Sequence, residues 1–534
     1  MNQMEIFRRQ IGAFSNILLL FVWYVIGKRI GDVATTYVAV SVGVSFLFTT
    51  IVCGGVPDTL GRMLRSRRNK GQYKNVYKMK QSALVVQFLF GAVFALMLFF
   101  LARIVAENVL KIGYCTLLIR VLAVFIFFRS LSSLLTGYLQ GEGFELPAAV
   151  AGIIRPFLIL GFSRLFSGKM IEYGVKVGNL LQDENFAAMY SGVSVVLAIC
   201  VAELFCMIFL MILYKGCSML NKKGRQEGLK TTDSIKACIS ALLSGRFPLW
   251  IAEFMIVIAM LAGVFLWSRA EIADSIFEVA YSVYMHNYWV VYGIFIALVF
   301  ILSIPVLSKT FEYIRKEDKR FARITFQSGV HISMAHGIFF AVFGAVMAGQ
   351  IVGLMQPANE ELVLALLRMG SGVVALGAVC CFYSRFLISA GRKIHVMGAV
   401  ILTAVLFVAV NVIVFLLGKW TDKTFVITGT LALAALWIVL GSFAYRLMRV
   451  RVDWLQVIVM PLGAGCVAGL ICMFLGKIFT PHLGNEMTLF VTFLLAMLIY
   501  WIVLLLMRNF KEQELDVIFG GKIIYALGQV LRVY

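Results

Sequence analysis

Apolar runs of about 20 residues, parted by short polar or charged connections, recur from residue 10 to residue 507. A helix that crosses a hydrocarbon core of about 30 Å needs roughly 20 apolar residues, so each run reads as a transmembrane span. The pattern predicts fourteen, near 10–28, 37–56, 83–103, 114–137, 147–166, 190–214, 246–267, 287–308, 326–348, 362–384, 396–418, 425–446, 455–477 and 487–507. The expected fold class is therefore an all-α polytopic membrane protein. An even number of spans places both termini on one side.

Composition agrees and adds an orientation. Of 534 residues, 61% are hydrophobic and 14% charged, with a mean hydropathy of +0.93, far from a soluble domain. The net charge of +21 does not point to nucleic acid, because the charge lies between apolar runs and not on one wettable face. With the N-terminus inside, inner connections and tails carry 33 Lys and Arg, outer connections 11, and four lie within spans. That asymmetry follows the positive-inside rule, and it predicts that both termini are cytoplasmic. Arg8 and Arg9 before the first run imitate a secretory signal, yet no small-residue cleavage site follows, so a retained first helix is expected. The cysteines sit mostly in apolar stretches with no CxxC and no histidines at ligand spacing, and read as small buried hydrophobes. No metal site or cofactor is expected.

The sequence also repeats. A shift of 248 residues lays Val56-Pro57 on Ile304-Pro305, Arg67-Arg68 on Arg315-Lys316, Arg120 on Arg368, Tyr138-Leu139 on Phe386-Leu387 and Gly143 on Gly391. The shift carries span two to span eight and span four to span ten, so each unit holds six helices in the same orientation. Parallel repeats of this kind build two lobes around a central cavity that opens alternately to either side. The expected organisation is an N-terminal lobe at 1–236, a C-terminal lobe at 237–453, two additional helices at 454–507 and an interfacial tail at 508–534.

Three stretches carry a family resemblance. "GGVPDTLGRMLRSRRNKGQY" resembles the end of span two in the polysaccharide and oligosaccharidyl-lipid exporters. "LIRVLAVFIFFRSLSSLLTGYLQGEGFELPAAVAGIIRP" is similar to their fourth and fifth spans, and "YGIFIALVFILSIPVLSKTFEYIRKEDKRFARIT" to their span eight. These exporters, with the stage V sporulation protein B group, belong to the multidrug/oligosaccharidyl-lipid/polysaccharide (MOP) flippase superfamily. The resemblance covers about residues 10 to 450. It implies twelve to fourteen helices in two lobes, and flipping of an undecaprenyl-diphosphate-linked sugar from the cytoplasmic to the outer leaflet. It also implies a bacterial cytoplasmic membrane as the location, and a polysaccharide polymerase or glycosyltransferases as the protein partners.

A diphosphate crossing hydrocarbon needs cationic donors, and arginine grips phosphate oxygens bidentately. An arginine inside a span is therefore a functional candidate. Arg120, six residues into span four, and its repeat mate Arg368 are candidates for a diphosphate clamp, or else they snorkel to headgroups. Arg129, nine residues after Arg120, falls on the opposite helix face and is not expected to serve the same cavity. Arg155, just before Pro156, either binds cargo or is neutralised by Glu203 on the next helix. Lys28 and Arg29 close span one at the outer face and are candidates for the outer mouth, or else are solvated interface residues. Glu253, two turns after Arg246 on the same face, is a candidate for proton or cation coupling, or else their pairing is internal. Arg65, Arg67 and Arg68 anchor the inner face and could gather anionic lipid at the cytoplasmic entrance. His331 and His336 lie about 140° apart around a helix and are not a joint metal site. The tail from 508 onward alternates charge and apolar residues and reads as an interfacial anchor.

No Walker loop, nucleophile elbow or paired-carboxylate pattern appears, so the chain is not expected to be an enzyme. The favoured reading is export of a lipid-linked oligosaccharide by alternating access. The rivals are a cation-coupled multidrug antiporter of the same superfamily, a peptidoglycan-precursor flippase, and, less favoured, a membrane-embedded glycosyltransferase. Span one lacks an acid between Arg9 and Arg29, which counts against the antiporter at this level.

Overall fold

A computed structural model of the chain describes residues 3–220, 233–270, 272, 276–515 and 521–530. Among them every regular element is a helix. Twelve helices are long and apolar enough to cross a membrane, thirteen if the pair Glu360–Met369 and Val373–Ser389, bent by 52°, is one span. One of the twelve, Leu455–Leu506, is interrupted by the non-helical Gly484. The apolar runs fall on these helices, with turns at Gly54-Gly55 and around Gly370 inside two of them, and the last two runs share the helix interrupted at Gly484.

Two compact units divide the chain. The first contains Phe21–Ser282 with Val414–Trp420, and the second contains Met1–Leu20, Val283–Ile413 and Thr421–Tyr534. The helices of the first unit are the C-terminal part of α1 (Gln3–Ile30), α2 (Asp32–Cys53), α3 (Val56–Asn69), α4 (Tyr73–Arg103), α5 (Cys115–Gly141), α6 (Leu146–Leu181), α7 (Asn185–Leu220), α8 (Ile235–Trp267) and α9 (Phe277–Ser282). The boundary therefore falls after Ser282 and not at 236/237. The reason is α8, which packs on α2, α3 and α4 and sends the buried Arg246 into α2.

In a bilayer apolar side chains gain little by leaving lipid, so close helix approach through small residues does much of the packing. Between α3 and α5, Gly61 lies against Gln140, Gly137 against Leu60, and Gly141 against Leu64. A Cβ at Gly141 would stand 2.6 Å from that of Leu64. Leu60, Leu64, Met79, Leu134, Leu139 and Leu242 form one buried cluster of this unit.

The second unit holds α10 (Trp289–Arg315), α11 (Lys319–Val346), α12 (Ala348–Met355), α13 (Glu360–Met369), α14 (Val373–Ser389), α15 (Lys393–Leu416), α16 (Thr424–Met448), α17 (Met460–Leu506), α18 (Glu512–Leu515) and α19 (Gly521–Val530). The repeat is visible in detail. Helices α5 and α14 end at Gly141 and Ser389, which the same shift superposes. Their following turn glycines, Gly143 and Gly391, both take a left-handed φ, of 93° and 80°. Among the described residues the two copies are interrupted in different places: α2 and α3 part at Gly54-Gly55, whereas α13 and α14 part around Gly370.

The tail does more than lie at an interface. Asn509, Phe510, Glu514 and Leu515 are buried, the Phe510 ring meets Trp501 and His331, and Glu514 Oε1 lies 3.3 Å from His331 Nδ1. His336 is buried separately, with Nδ1 3.0 Å from the Ile332 carbonyl. Tail residues 516–520 and 531–534 lie outside the described residues.

Candidate functional site

A cavity of about 380 Å³ opens inside the first unit. Helix α2 supplies Phe46, Thr49, Thr50 and Cys53, and the break after it supplies Gly54 and Gly55. Pro57 and Asp58 come from α3, Arg129, Ser133 and Thr136 from α5, Ala148, Ala151 and Arg155 from α6, Leu210 from α7 and Glu253 from α8. Arg129, Ser133 and Thr136 recur at helical spacing, so one face of α5 is polar where it meets the cavity.

The charges are arranged in layers. Behind the wall, Glu203 on α7 is 1% exposed and accepts Arg155 Nε at 2.8 Å. Arg129 Nη1 reaches the other carboxylate oxygen at 3.4 Å, and its side chain stays 36% exposed. Two guanidinium groups thus share one buried carboxylate, which is how charge is retained in a low-dielectric site. Glu253 and Asp58 line the same cavity. Arg246, two helical turns before Glu253, lies outside the lining and donates to the carbonyls of Ile51 and Val52. In this respect Arg246 serves the backbone of α2.

Several candidate residues lie elsewhere. Arg120 is exposed, with its guanidinium over the Phe99 ring of α4 at 5.7 Å. Arg368 is exposed in the last turn of α13, and Lys28 and Arg29 are exposed in the last turn of α1. Cations in the last turn of a helix favour its C-terminal dipole. None of the four lines the cavity. Arg129, not expected there, does. The helical-wheel separation of Arg120 from Arg129 is right, but the cavity lies on the Arg129 side. Sequence reading also misses Asp58, Ser133 and Thr136; the signal for Asp58 is the Gly-Gly-Val-Pro-Asp run, and that for the other two is their spacing from Arg129.

The arginines of α3 are held by the protein itself. Arg65 bridges to Glu145 and to the Gln140 carbonyl, each at 2.9 Å, Arg67 grips Asp233 with two donors, and Arg68 donates to the Glu142 carbonyl at 2.8 Å. Lys80 pairs with Glu142 nearby. These contacts tie α3 to the turn between α5 and α6 and to the start of α8. Replacing Arg65, Arg67 and Arg68 together by Gln is therefore expected to leave membrane insertion intact and to speed proteolysis at 140–145 and near 233. Wild-type cleavage rates would contradict this role.

At the opposite end, Tyr114 donates its hydroxyl to Asp183, whose other oxygen accepts the Asn185 backbone N–H at 3.0 Å. The Tyr114 hydroxyl bond, then the backbone bond, hold the Asp183 carboxyl below its usual range, and the same bond raises the Tyr114 phenol. A depressed carboxyl stabilises above its ordinary value, about pH 4, and this contribution is lost as pH falls through the folded value. Asp183→Asn should thus lower the melting temperature slightly at pH 7, with the difference from wild type shrinking below about pH 4. A difference independent of pH would refute the latch.

The helix order and the two six-helix repeats define a fold class, an all-α, two-lobed membrane protein. No family model matches the sequence, and no curated protein matches it. Solved structures do. A multidrug resistance MATE family transporter of the MOP superfamily, in an inward-facing conformation, aligns with a TM-score of 0.61 at 13% identity, over 82% of this chain and 96% of that one. The eukaryotic MATE transporter AtDTX14 aligns at 0.60 and 13%, over 86% and 97%. A MOP superfamily transporter from Pyrococcus furiosus, described by a reversed polarity of its binding pocket, aligns at 0.56 and 13%, over 83% and 94%. At such identity the likeness is one of fold. The narrower resemblance to polysaccharide exporters rests on the sequence stretches alone.

Proposed function

We propose that the protein is a secondary transporter of the MOP superfamily that exports amphipathic cationic compounds in exchange for a coupling cation. The single observation that carries this reading is the polarity of the cavity. Two carboxylates, Glu253 and Asp58, line it beside Arg129 and Arg155, and the charge of those two arginines is shared by Glu203 behind the wall. The fold of the MATE transporters supports the same reading. Glu253 is the coupling carboxylate in this scheme, since a carboxylate within a span can exchange a proton or metal cation against a cationic cargo.

A second reading has its own support. Arg129 makes one long contact to Glu203, and its remaining N–H groups are available to an oxyanion such as the diphosphate of a lipid-linked sugar. One experiment separates the two. Cells expressing the chain should extrude ethidium against its gradient, and should not restore export in a strain lacking its undecaprenyl-diphosphate-sugar flippase. The reverse pair of results would replace the first reading by the second.

A further inference from the structure

The break in span two leaves backbone groups that need partners. In a continuous helix the Ile51 and Val52 carbonyls would accept the N–H groups of residues 55 and 56. Here α2 stops at Cys53, with Gly54 N bonded to the Thr50 carbonyl at 2.9 Å, and the first bond after the break runs from Thr59 N to the Gly55 carbonyl at 3.1 Å. Gly55 sits between them at φ 66°. Arg246 supplies the missing donors. Its guanidinium is buried, Nη1 reaches the Val52 carbonyl at 2.8 Å, and Nη2 reaches the Ile51 carbonyl. Gln87 Nε2 adds a bond to Val52 at 3.3 Å.

Pro57 is not what breaks the span. Its repeat mate Pro305 lies inside the continuous α10, where Leu302 and Ser303 replace Gly54 and Gly55. The repeat therefore displays a continuous form of the same segment. What differs in the first copy is the glycine pair, which tolerates a left-handed φ, and an arginine that occupies the freed carbonyls.

We infer that span two is a hinge with an interrupted and a continuous form, and that Arg246 is the positioning residue that selects the interrupted one. Closing the interruption returns the two carbonyls to the helix ladder and releases the guanidinium. Gly54, Gly55, Pro57 and Asp58 line the cavity, and a Cβ on Gly54 would stand 3.1 Å from Glu253 Oε2. The hinge thus reshapes the cavity wall beside Glu253. The inference does not depend on which cargo is carried; only its effect on turnover rests on the proposed transport function.

Cys53, which lines the cavity one residue before the break, is a native reporter. The test measures alkylation of each cysteine in the full-length protein in proteoliposomes, by peptide mass spectrometry, for wild type, Arg246→Met, Arg246→Lys and Gly55→Ala. Arg246→Met removes the donors. Gly55→Ala penalises the left-handed φ, and its Cβ would stand 3.1 Å from the Arg246 carbonyl oxygen. Both should change the Cys53 rate in the same direction, by about fivefold or more, and slow turnover without raising the cargo KM. Arg246→Lys, a point donor without the fork, should fall between. Buried Cys115 and Cys238 should stay unreactive, which separates hinge movement from general loosening. A wild-type Cys53 rate in Gly55→Ala, or opposite shifts in the two variants, would overturn the hinge. If Arg246→Met does not fold, Gly55→Ala and Arg246→Lys decide by the same criterion.

Discussion

Replacing Glu203 by Ala should cost the protein much of its stability, with a fall in melting temperature on the order of 5–10 °C in detergent. Glu203 is 1% exposed and is the shared counter-ion of Arg155 and Arg129. Removing one partner of a buried ion pair costs about 3–5 kcal/mol, because the remaining charge is stranded. Here two guanidinium groups are left behind. Arg129 is partly exposed and can turn toward water, but Arg155, beside Pro156 in α6, is less free to do so. The compensating substitution follows from the same physics: Arg155→Met with Glu203→Met should recover most of the loss. Melting of the purified variants checks both, and a Glu203→Ala variant as stable as wild type would mean that the triad contributes nothing to stability.

The second large effect is on function. Glu253→Gln keeps the shape of the side chain and removes its charge, so folding and insertion should be unchanged. Coupled export should fall between about 5- and 150-fold, the usual span of a coupling free energy of 1–3 kcal/mol. Uncoupled downhill movement of cargo should fall much less. Measured side by side in proteoliposomes with and without a cation gradient, equal loss in both would make Glu253 a cargo contact, and no loss in either would remove it from the mechanism.

Much of the fold is legible because the bilayer imposes it. Each span announces itself by length and hydropathy. The repeat can be read from Pro57 with Pro305 and Gly143 with Gly391, and the two turn glycines do share a left-handed φ. The inward face of each span is harder. Lipid is as apolar as a helix interface, so periodicity marks it weakly. Arg120 and Arg129 separate on the wheel, but nothing in α5 says which faces protein. The shift that pairs Arg120 with Arg368 lays a residue within α5 on one in the last turn of α13, and both are exposed; a match across the repeat does not make either a cavity residue. Glu203 is legible as a partner for Arg155 because consecutive spans bring them close. The approach of His331 to Glu514 joins residues far apart in sequence and leaves no local sign.

The most direct test is cargo movement by the purified full-length chain in proteoliposomes under an imposed proton or sodium gradient. Ethidium should move against its own gradient only when the cation gradient is present, and a fluorescent undecaprenyl-diphosphate-linked sugar should stay in its leaflet. Flipping of the lipid-linked sugar with no movement of ethidium would contradict the account, and would place Arg129 and not Glu253 at the centre of the site.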